Sequence, residues 1–353
     1  MKKYICILLA IAIFASFTFV GCGTKADTSA TPTGTATEAV PTNPTEKTVT
    51  LTTVPATVPT TAPTAAPTQA PTTAPTVAPT SPAEDKRWNE DKSLKILAVG
   101  NSFSIDCMQY VYKIAKANGV ENVKLGNLYI AGCALDTHLK NAQEDEPVYK
   151  YYSNDSDEWN AAPCYAISTA VQSEDWDFII FQQASPVSGY ANTYDDLAAL
   201  VNIVEPLCTN KNVKFAWHMT WAYQADSTNS SFNNYSKDQT VMYNAITSAV
   251  KQKIATNAKI ASIIPNGTVI QNARTSYVGD TLTRDGYHLS KDQGRKLAGL
   301  GVVNALIGIN WETADLSSVI TDEVFLQVAI ESVQNAAKNP YSVTPSAITV
   351  KPS

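Results

Sequence analysis

The sequence has few of the residues on which metal and nucleic-acid sites depend. Only three histidines occur among 353 residues, and the six cysteines form no CxxC pair, so a zinc site is not expected. No run of Lys and Arg is present to follow a phosphate backbone, and the net charge is −6, which argues against a nucleic-acid partner. After the first 22 residues, no stretch approaches the roughly 18 apolar residues that a membrane-spanning helix needs. The 44% of hydrophobic residues is nevertheless enough for one substantial core.

The first 22 residues have the pattern of a secretory signal. Lys2 and Lys3 precede an apolar stretch over 5–20, about as long as the hydrophobic region of a signal peptide. The stretch ends at Gly21-Cys22, which resembles the bacterial lipobox, whose cysteine is lipidated and becomes the mature N-terminus. We therefore expect a lipid anchor at Cys22 and a mature protein on the outer face of the bacterial cytoplasmic membrane. The alternative is an ordinary signal peptide with a chance cysteine.

Residues 23–84 are rich in proline, threonine and alanine. Eleven of the nineteen prolines lie here, and from Pro55 to Pro79 a proline recurs at every fourth position. Such a segment has too little apolar surface to offset its chain entropy, so we predict a disordered linker with extended, polyproline-like character. At about 3.1 Å per residue it reaches on the order of 190 Å, far enough to hold a domain out into a cell wall.

Residues 85–353 show alternating strand and helix patterns, which predict a single domain. Apolar runs predict strands over 94–99, 123–130, 176–181, 213–219 and 260–264, with 268–270 as an open extension of the last. Helical spacing predicts helices over 104–118, 194–208 and 238–254, and a last helix that runs from an N-cap at Ser290 toward Ile307. This alternation indicates an α/β three-layer sandwich with a central parallel sheet, in which active sites lie beyond the carboxyl ends of the strands.

Four cysteines fall within this domain. Outside the cell they can pair as disulfides, but in a domain of this size they can equally be small buried hydrophobic residues. The spacing does not decide between the two for these residues: Cys107, Cys133, Cys164 and Cys208.

The first predicted strand turns directly into a helix at Gly100-Asn101-Ser102. A serine at such a junction projects its Oγ from the strand end, and the helix N-terminus supplies unpaired N–H groups for a developing oxyanion. The alternative is structural, because Ser102 or Ser104 can simply cap the helix. By itself the pattern therefore marks Ser102 only as a candidate nucleophile.

Asp285 and His288 lie just before the last predicted helix. An acid three residues ahead of a histidine can bring its carboxylate to Nδ1 and leave Nε2 free, which is the orientation that a general base requires. The alternative is a surface loop in which the two residues occur together by chance. With only three histidines in the chain, such a pairing is less readily accidental.

The two patterns together resemble the SGNH/GDSL hydrolase superfamily, with Asn in place of Asp in the first block, as in a GNS-bearing branch. The resemblance spans about 94–309. It implies an α/β fold with Ser102 as nucleophile, His288 as base and Asp285 as the partner of His288. It also implies that the N–H of Gly132 joins the oxyanion hole. The superfamily places an oxyanion-binding Asn after the third strand. Gln182 or Gln183 occupies that place here and is expected to substitute.

The segment after the fourth predicted strand is aromatic and faces the same end of the sheet. We expect Trp217, Trp221 and Tyr223 to contact substrate, since aromatic rings stack on the apolar faces of sugars. The alternative is that Trp217 belongs to the core and that His218 is a structural histidine. The acidic stretch over 144–146 is interpreted as a solvated loop rather than a metal site.

These observations predict an extracellular serine esterase that removes acetyl or other small acyl groups from carbohydrates. No metal or organic cofactor is implied. The expected partners are an acylated carbohydrate or small ester, the membrane through Cys22, and the cell wall. The alternatives are a glycan- or solute-binding surface lipoprotein without catalysis, and a catalytically dead relative of the hydrolases.

Overall fold

The computed structural model describes residues 91–351, and the predicted signal, Cys22 and the linker over 23–84 lie outside them. Seven strands form one sheet. They are β1 (Ser93–Gly100), β2 (Asn122–Tyr129), β3 (Tyr149–Asn154), β4 (Asn160–Tyr165), β5 (Phe178–Gln182), β6 (Lys214–His218) and β7 (Ile260–Ile264). The order across the sheet is β4-β3-β2-β1-β5-β6-β7.

Nine α-helices connect or follow these strands in residues 91–351. They are α1 (Ser102–Met108), α2 (Val111–Ala117), α3 (Leu135–Glu144), α4 (Ile167–Gln172), α5 (Leu197–Leu207), α6 (Gln239–Lys253), α7 (Asn266–Arg274), α8 (Gly294–Ile307) and α9 (Glu323–Lys338). Short 3₁₀ helices lie at Ser185–Val187, Ala191–Tyr194, Ser230–Tyr235 and Leu316–Ser318. None of the helices in the described part of the chain has both the length and the apolar character that a membrane span requires.

The five strands from β2 to β7 through β1, β5 and β6 are parallel, and helices cover the sheet. Every residue of β5 is buried, as expected of a central strand covered on both faces. Parallel pairing joins β1 to β2 and β5, and β6 to β5 and β7. The structure therefore confirms the predicted α/β class with a central, mainly parallel sheet.

The hairpin of β3 and β4 is the part of the sheet that was not predicted. These strands pair antiparallel beside β2, and β4 lies at the edge of the sheet with most of its residues exposed. They alternate aromatic, polar and small residues instead of forming a continuous apolar run, so the search for buried parallel strands passed over them.

Three local predictions need correction. The helix predicted over 104–118 is two helices, α1 and α2, separated at Gln109 and Tyr110. Residues 268–270 belong to α7 and not to a strand, because a fully buried helix and a buried strand have the same apolar composition. The last predicted helix, α8, begins at Gly294, and Ser290 instead accepts a hydrogen bond from the Gly294 N–H (3.1 Å).

Among the cysteines of the described chain, Cys107, Cys133 and Cys208 are free thiols. Cys107, Cys133 and Cys208 are buried, as small hydrophobic residues are, whereas Cys164 is exposed on β4. For Cys107, Cys133 and Cys208 the structure therefore shows the buried hydrophobic alternative and not a disulfide.

Candidate active site

Ser102, His288 and Asp285 form a continuous hydrogen-bonded chain at the carboxyl edge of the sheet. Ser102 is the first residue of α1, directly after β1, and its Oγ lies 2.8 Å from His288 Nε2. His288 Nδ1 lies 2.7 Å from Asp285 Oδ2. The predicted three-residue spacing brings the carboxylate to Nδ1 and leaves Nε2 directed at the serine, so the arrangement has the geometry of a nucleophile, a base and an orienting acid.

The carboxylate of Asp285 is held by its own loop. Its Oδ1 accepts hydrogen bonds from the backbone N–H groups of His288 (2.8 Å) and Tyr287 (3.3 Å), while Oδ2 faces the imidazole. Partial burial disfavours its ionised form, but the hydrogen bonds from the His288 side chain and from the two N–H groups outweigh this and lower the pKa of Asp285. An ionised acceptor at Nδ1 fixes the tautomer in which Nε2 is free to accept a proton.

A buried aspartate on α1 anchors the loop that carries Asp285 and His288. Asp106 has no exposed side-chain surface, and its Oδ2 accepts the backbone N–H of Leu289 at 2.7 Å. The guanidinium groups of Arg295 (2.7 Å) and Arg284 (3.2 Å) pair with the same carboxylate. Burial raises the pKa of Asp106 and the two arginines oppose that rise. Because Asp106 lies on the helix that Ser102 begins, it ties the nucleophile and the base loop to one another.

The capping alternative for the two serines is not what the structure shows. Asn101 is the N-cap of α1, and its Oδ1 accepts the N–H of Phe103 at 3.0 Å. Ser104 is buried, and its hydroxyl donates to the carbonyl of Asn101 at 2.7 Å. Ser102 therefore does not cap the helix, and it is partly exposed.

A cavity of about 290 Å³ opens beside Ser102 and His288. Its lining combines the two backbone segments expected at an oxyanion site with tyrosine rings and small polar groups: Asn101, Ser102, Tyr129, Ala131, Gly132, Ser185, Pro186, Tyr223, Asn229, Tyr287 and His288. Gly132 has a φ of +62°, a backbone conformation that favours glycine. Within residues 91–351, neither the N–H of Ser102 nor that of Gly132 donates to a backbone or side-chain acceptor, so both remain available to a ligand.

The structure does not bring either predicted glutamine donor to this cavity. Gln182 and Gln183 are buried, and the Gln182 amide nitrogen donates to Asn101 Oδ1 at 2.8 Å. Gln183 donates to the carbonyl of Thr193 (2.7 Å) and accepts the N–H of Leu135 (3.1 Å). The oxyanion donors that the geometry offers are therefore backbone N–H groups.

The predicted aromatic contacts are only partly at the cavity. Trp217 is buried against Tyr194, and Trp221 is buried in a stack on Phe103 with ring centroids 4.3 Å apart, so neither tryptophan faces a ligand. Tyr223 does line the cavity, where its hydroxyl lies 2.9 Å from Ser185 Oγ. Trp217 lies within β6 and Trp221 lies three residues after its end, and both side chains pack into the core.

Sequence reasoning missed two tyrosines that line the cavity. Tyr129 is the last residue of β2, and Tyr287 lies between Asp285 and His288. The same rule that located Ser102, that ligands bind at the carboxyl ends of parallel strands, would have identified Tyr129. The place of Tyr287 between Asp285 and His288 would have identified it as well.

His218 and the acidic stretch over 144–146 lie outside the cavity lining. His218 is completely buried, and burial lowers its pKa from 6.5 to about 3, so it is neutral. His218 is therefore a structural histidine, which was the alternative considered in the sequence analysis. Among residues 91–351, no three His, Cys, Asp or Glu side chains are grouped as a metal site would require.

Comparison with known proteins identifies the family. The sequence matches the family described as domain of unknown function DUF4886 over residues 95–322. A crystal structure of a DUF4886 family protein from Bacteroides uniformis is 37% identical, with a TM-score of 0.68, and the match covers 71% of this chain and 97% of that one. No curated protein matches the sequence.

Other solved structures match the chain at lower identity. A candidate SGNH hydrolase from Slackia heliotrinireducens is 18% identical, with a TM-score of 0.38 and coverage of 61% of this chain and 99% of its own. An acetylxylan esterase from Geobacillus stearothermophilus is 12% identical, with a TM-score of 0.39 and coverage of 62% and 95%. On the sequence match and the 37% identical structure, the chain belongs to the DUF4886 family.

Proposed function

We propose that this protein is a serine esterase that removes acetyl or other small acyl groups from carbohydrates. The observation that carries the proposal is the chain from Ser102 Oγ through His288 to Asp285, with contacts of 2.8 and 2.7 Å. A structural role does not require a partly exposed serine, a histidine and an ionised aspartate to meet in this order at the wall of a cavity.

In the acylation step, Ser102 Oγ forms a bond to the ester carbonyl carbon while its proton passes to His288 Nε2. The carbonyl oxygen becomes an oxyanion, for which the free N–H groups of Ser102 and Gly132 are the donors. Collapse of this intermediate breaks the bond to the alcohol oxygen, and the leaving alcohol takes the proton from His288. Asp285 keeps the imidazole in place and stabilises its protonated form without accepting the proton.

Deacylation repeats these roles with water. His288 Nε2 removes a proton from a water molecule, whose oxygen bonds to the acyl carbon, and the Ser102 ester bond then breaks. The proton returns to Ser102 Oγ, and the carboxylic acid leaves. The reaction consumes one water per ester and needs no other reactant.

The size and lining of the cavity support a small acyl group and a sugar alcohol. A volume of about 290 Å³ lies at the small end of the range of ligand sites, which suits a small acyl group. The partly exposed rings of Tyr129 and Tyr287 offer apolar faces, and the hydroxyl pair of Ser185 and the buried Tyr223 adds polar groups to the cavity wall. Flat rings next to hydroxyl groups suit a sugar ring, which has apolar faces and a polar rim.

We also propose that Cys22 carries a lipid, which would hold the domain on the outer face of the cytoplasmic membrane and, across the linker, near cell-wall glycans. The support is the sequence pattern described above. Mass spectrometry of the mature N-terminus tests it. A mature chain that begins after residue 22, carries no acyl mass and is found free in the medium would contradict it.

A fluorophosphonate probe tests the esterase directly, because it reacts with an activated serine. We expect peptide mapping to place the probe on Ser102, and we expect acetylated glycans and p-nitrophenyl acetate to be hydrolysed faster than p-nitrophenyl octanoate. Faster hydrolysis of the octanoate would contradict the small acyl group. A folded protein that neither labels nor hydrolyses any ester, yet binds glycans, would be the binding lipoprotein considered above.

A further inference from the structure

A row of buried polar side chains runs beneath the site, along the carboxyl edge of the parallel strands. It begins at the carbonyl of Cys133, after β2, and passes through Asn101, Gln182 and His218 at the ends of β1, β5 and β6. It ends at Asn266, the first residue of α7 after β7. Each of five neighbouring strands thus contributes one member, in the order of the sheet.

The contacts along the row are all within hydrogen-bond distance. Asn101 Nδ2 lies 2.9 Å from the Cys133 carbonyl, and Gln182 Nε2 lies 2.8 Å from Asn101 Oδ1. Gln182 Oε1 lies 3.0 Å from His218 Nδ1, and Asn266 Nδ2 lies 3.1 Å from His218 Nε2. The four side chains are all buried, so water does not compete for these contacts.

Backbone groups at the two ends fix the direction of every hydrogen bond between them. At one end the Phe103 N–H can only donate, so the atom of Asn101 that faces it is Oδ1, and Gln182 must present its Nε2 to that oxygen. Gln182 Oε1 then faces His218 Nδ1, which must carry the proton. At the other end the Ala298 carbonyl can only accept, at 3.1 Å, so Asn266 Nδ2 faces it and donates to His218 Nε2 as well.

Both ends therefore assign the same neutral tautomer to His218, with the proton on Nδ1. Packing holds the members in place. A Cβ at Gly100 would come within 3.0 Å of the Gln182 amide carbon, and a Cβ at Gly301 on α8 would meet Asn266 Oδ1 at 2.0 Å. Both glycines are thus needed for the row to occupy this space.

Asn101 connects the row to the two backbone donors of the site. Its main chain leads directly into Ser102, whereas its side chain holds the Cys133 carbonyl, one residue after Gly132. The position of one free N–H relative to the other thus depends on how the Asn101 amide is oriented. The Phe103 N–H and the Cys133 carbonyl set that orientation, and Gln182 supports it, because its Nε2–H donates a further hydrogen bond to Asn101 Oδ1.

We propose that Gln182 and His218 are positioning residues. They act through Asn101 to hold the N–H groups of Gly132 and Ser102 at the relative positions that binding of the oxyanion requires. The inference rests on the proposed esterase function. It gives Gln182 a different role from the direct donor expected from the sequence. Misplaced backbone donors stabilise the transition state less well but hardly affect the ground state. We therefore expect kcat to fall while substrate binding is retained.

The first test replaces Gln182 by methionine, which has a similar length and no amide. In the full chain, kcat for p-nitrophenyl acetate should fall about tenfold to a hundredfold, with KM changed less than about threefold; loss of a direct donor typically costs a hundredfold or more. Unchanged kcat, or an increase in KM alone, would overturn the proposal.

The second test uses His218→Asn and His218→Gln as a matched pair. The Asn amide nitrogen takes the place of Nδ1 and still donates to Gln182, whereas the Gln amide reaches only the place of Nε2. We expect His218→Asn to keep at least about fivefold more kcat than His218→Gln at equal thermal midpoints. Equal kcat in the two variants would show that burial alone matters and would overturn the proposal.

The ring nitrogens of His218 give a readout that does not depend on activity. With ¹⁵N-labelled histidine in the full chain, His218 should show the tautomer protonated at Nδ1 at neutral pH. The tautomer protonated at Nε2 would refute the row itself. An unreactive wild-type chain with the expected tautomer would instead refute the esterase function, so the two failures are distinguishable.

Discussion

The two sides of Ser102 are built in different ways. On one side, the Asp285–His288 loop is partly exposed and depends on charge: an ionised carboxylate orients the imidazole, and the buried pair of Asp106 with Arg295 anchors the loop. On the other side, Asn101, Gln182 and His218 are buried and neutral. In the proposed mechanism, the groups that exchange protons thus have access to solvent and to charge, whereas the groups that hold the site in place are joined by hydrogen bonds that do not titrate near neutral pH.

This difference has a consequence for how the two sides respond to change. A charged anchor is sensitive to pH and to removal of either partner, because an unpaired buried charge is costly. The row of amides and one neutral imidazole carries no charge near neutral pH and depends on the direction of each hydrogen bond, since a single reversed amide places two donors or two acceptors face to face. Substitutions on the two sides should therefore impair the protein in distinguishable ways.

The largest effect is expected from Ser102→Ala. Removal of the nucleophile should lower kcat at least about a thousandfold while the domain stays folded, because Ser102 is partly exposed and does not cap α1. Ester hydrolysis and circular dichroism measure the two quantities. Ser104→Ala is the control, since Ser104 is buried and bonded to Asn101; an inactive Ser104→Ala with an active Ser102→Ala would reject the assignment.

Asp285→Asn should come next, with a loss in kcat of about a thousandfold or more, since the histidine tautomer depends on this carboxylate. Two backbone N–H groups face Oδ1, so an asparagine must place its oxygen there and its NH₂ against His288 Nδ1. That contact favours the tautomer with the proton on Nε2, which cannot accept the serine proton. Asp285→Ala is the control: if it loses more activity than Asp285→Asn, the wrong tautomer is not the cause.

Asp106→Asn should destabilise the protein and the base loop together. Removal of the charge leaves the buried Arg295 without its charged partner and weakens the hydrogen bond to the Leu289 N–H, which we expect to cost about 3 kcal/mol in the free energy of unfolding. Urea unfolding measures this quantity. Lys92→Gln, which removes a solvent-exposed pair with Glu121, should cost much less, and equal losses would contradict the special role of Asp106.

The fold was predictable from the sequence to the extent that burial follows an apolar pattern. Continuous apolar runs located β1, β2, β5, β6 and β7, and their alternation with helices gave the parallel sheet. The β3–β4 hairpin lacked that pattern, and burial of Trp217 and Trp221 depends on what packs above β6, which no local pattern encodes.

The site was predictable where its geometry is local. The three-residue spacing of Asp285 and His288 and the strand-end position of Ser102 require only the immediate chain. The roles of Gln182 and Asp106 were not accessible in this way. Each is set by partners more than eighty residues away, such as Asn101 for Gln182 and Leu289 for Asp106.

A smaller effect should appear in acid stability and would test the neutral side. Burial lowers the pKa of His218 from 6.5 to about 3, so below about pH 6.5 the unfolded chain binds a proton there that the folded chain does not. Stability must therefore fall as pH falls, and between pH 7 and 5 this group should cost about 2 kcal/mol. Its contacts Cys107, Gln182 and Asn266 carry no charge that would offset this.

The measurement is urea unfolding at pH 7 and pH 5. His218→Asn should reduce the difference between the two pH values by about 2 kcal/mol relative to wild type. His138→Asn should do the same, since burial lowers the pKa of His138 to about 4. A pH dependence in His218→Asn equal to that of wild type would show that His218 is not the neutral, buried group described here.

The smallest effect on the kinetics should come from a substitution at the rim of the cavity, which removes neither a charged group nor a member of the hydrogen-bonded row. Tyr129 ends β2 and lines the cavity with a partly exposed ring, so Tyr129→Ala removes a surface on which a sugar ring can stack. We expect KM for an acetylated oligosaccharide to rise about three- to tenfold with kcat nearly unchanged, while KM for p-nitrophenyl acetate should hardly move. Tyr190→Ala, at an exposed residue outside the lining, is the matched control. Equal changes in KM for the sugar ester and the aryl ester would mean that Tyr129 contacts the acyl group, and the alcohol would then have to lie against Tyr287 instead.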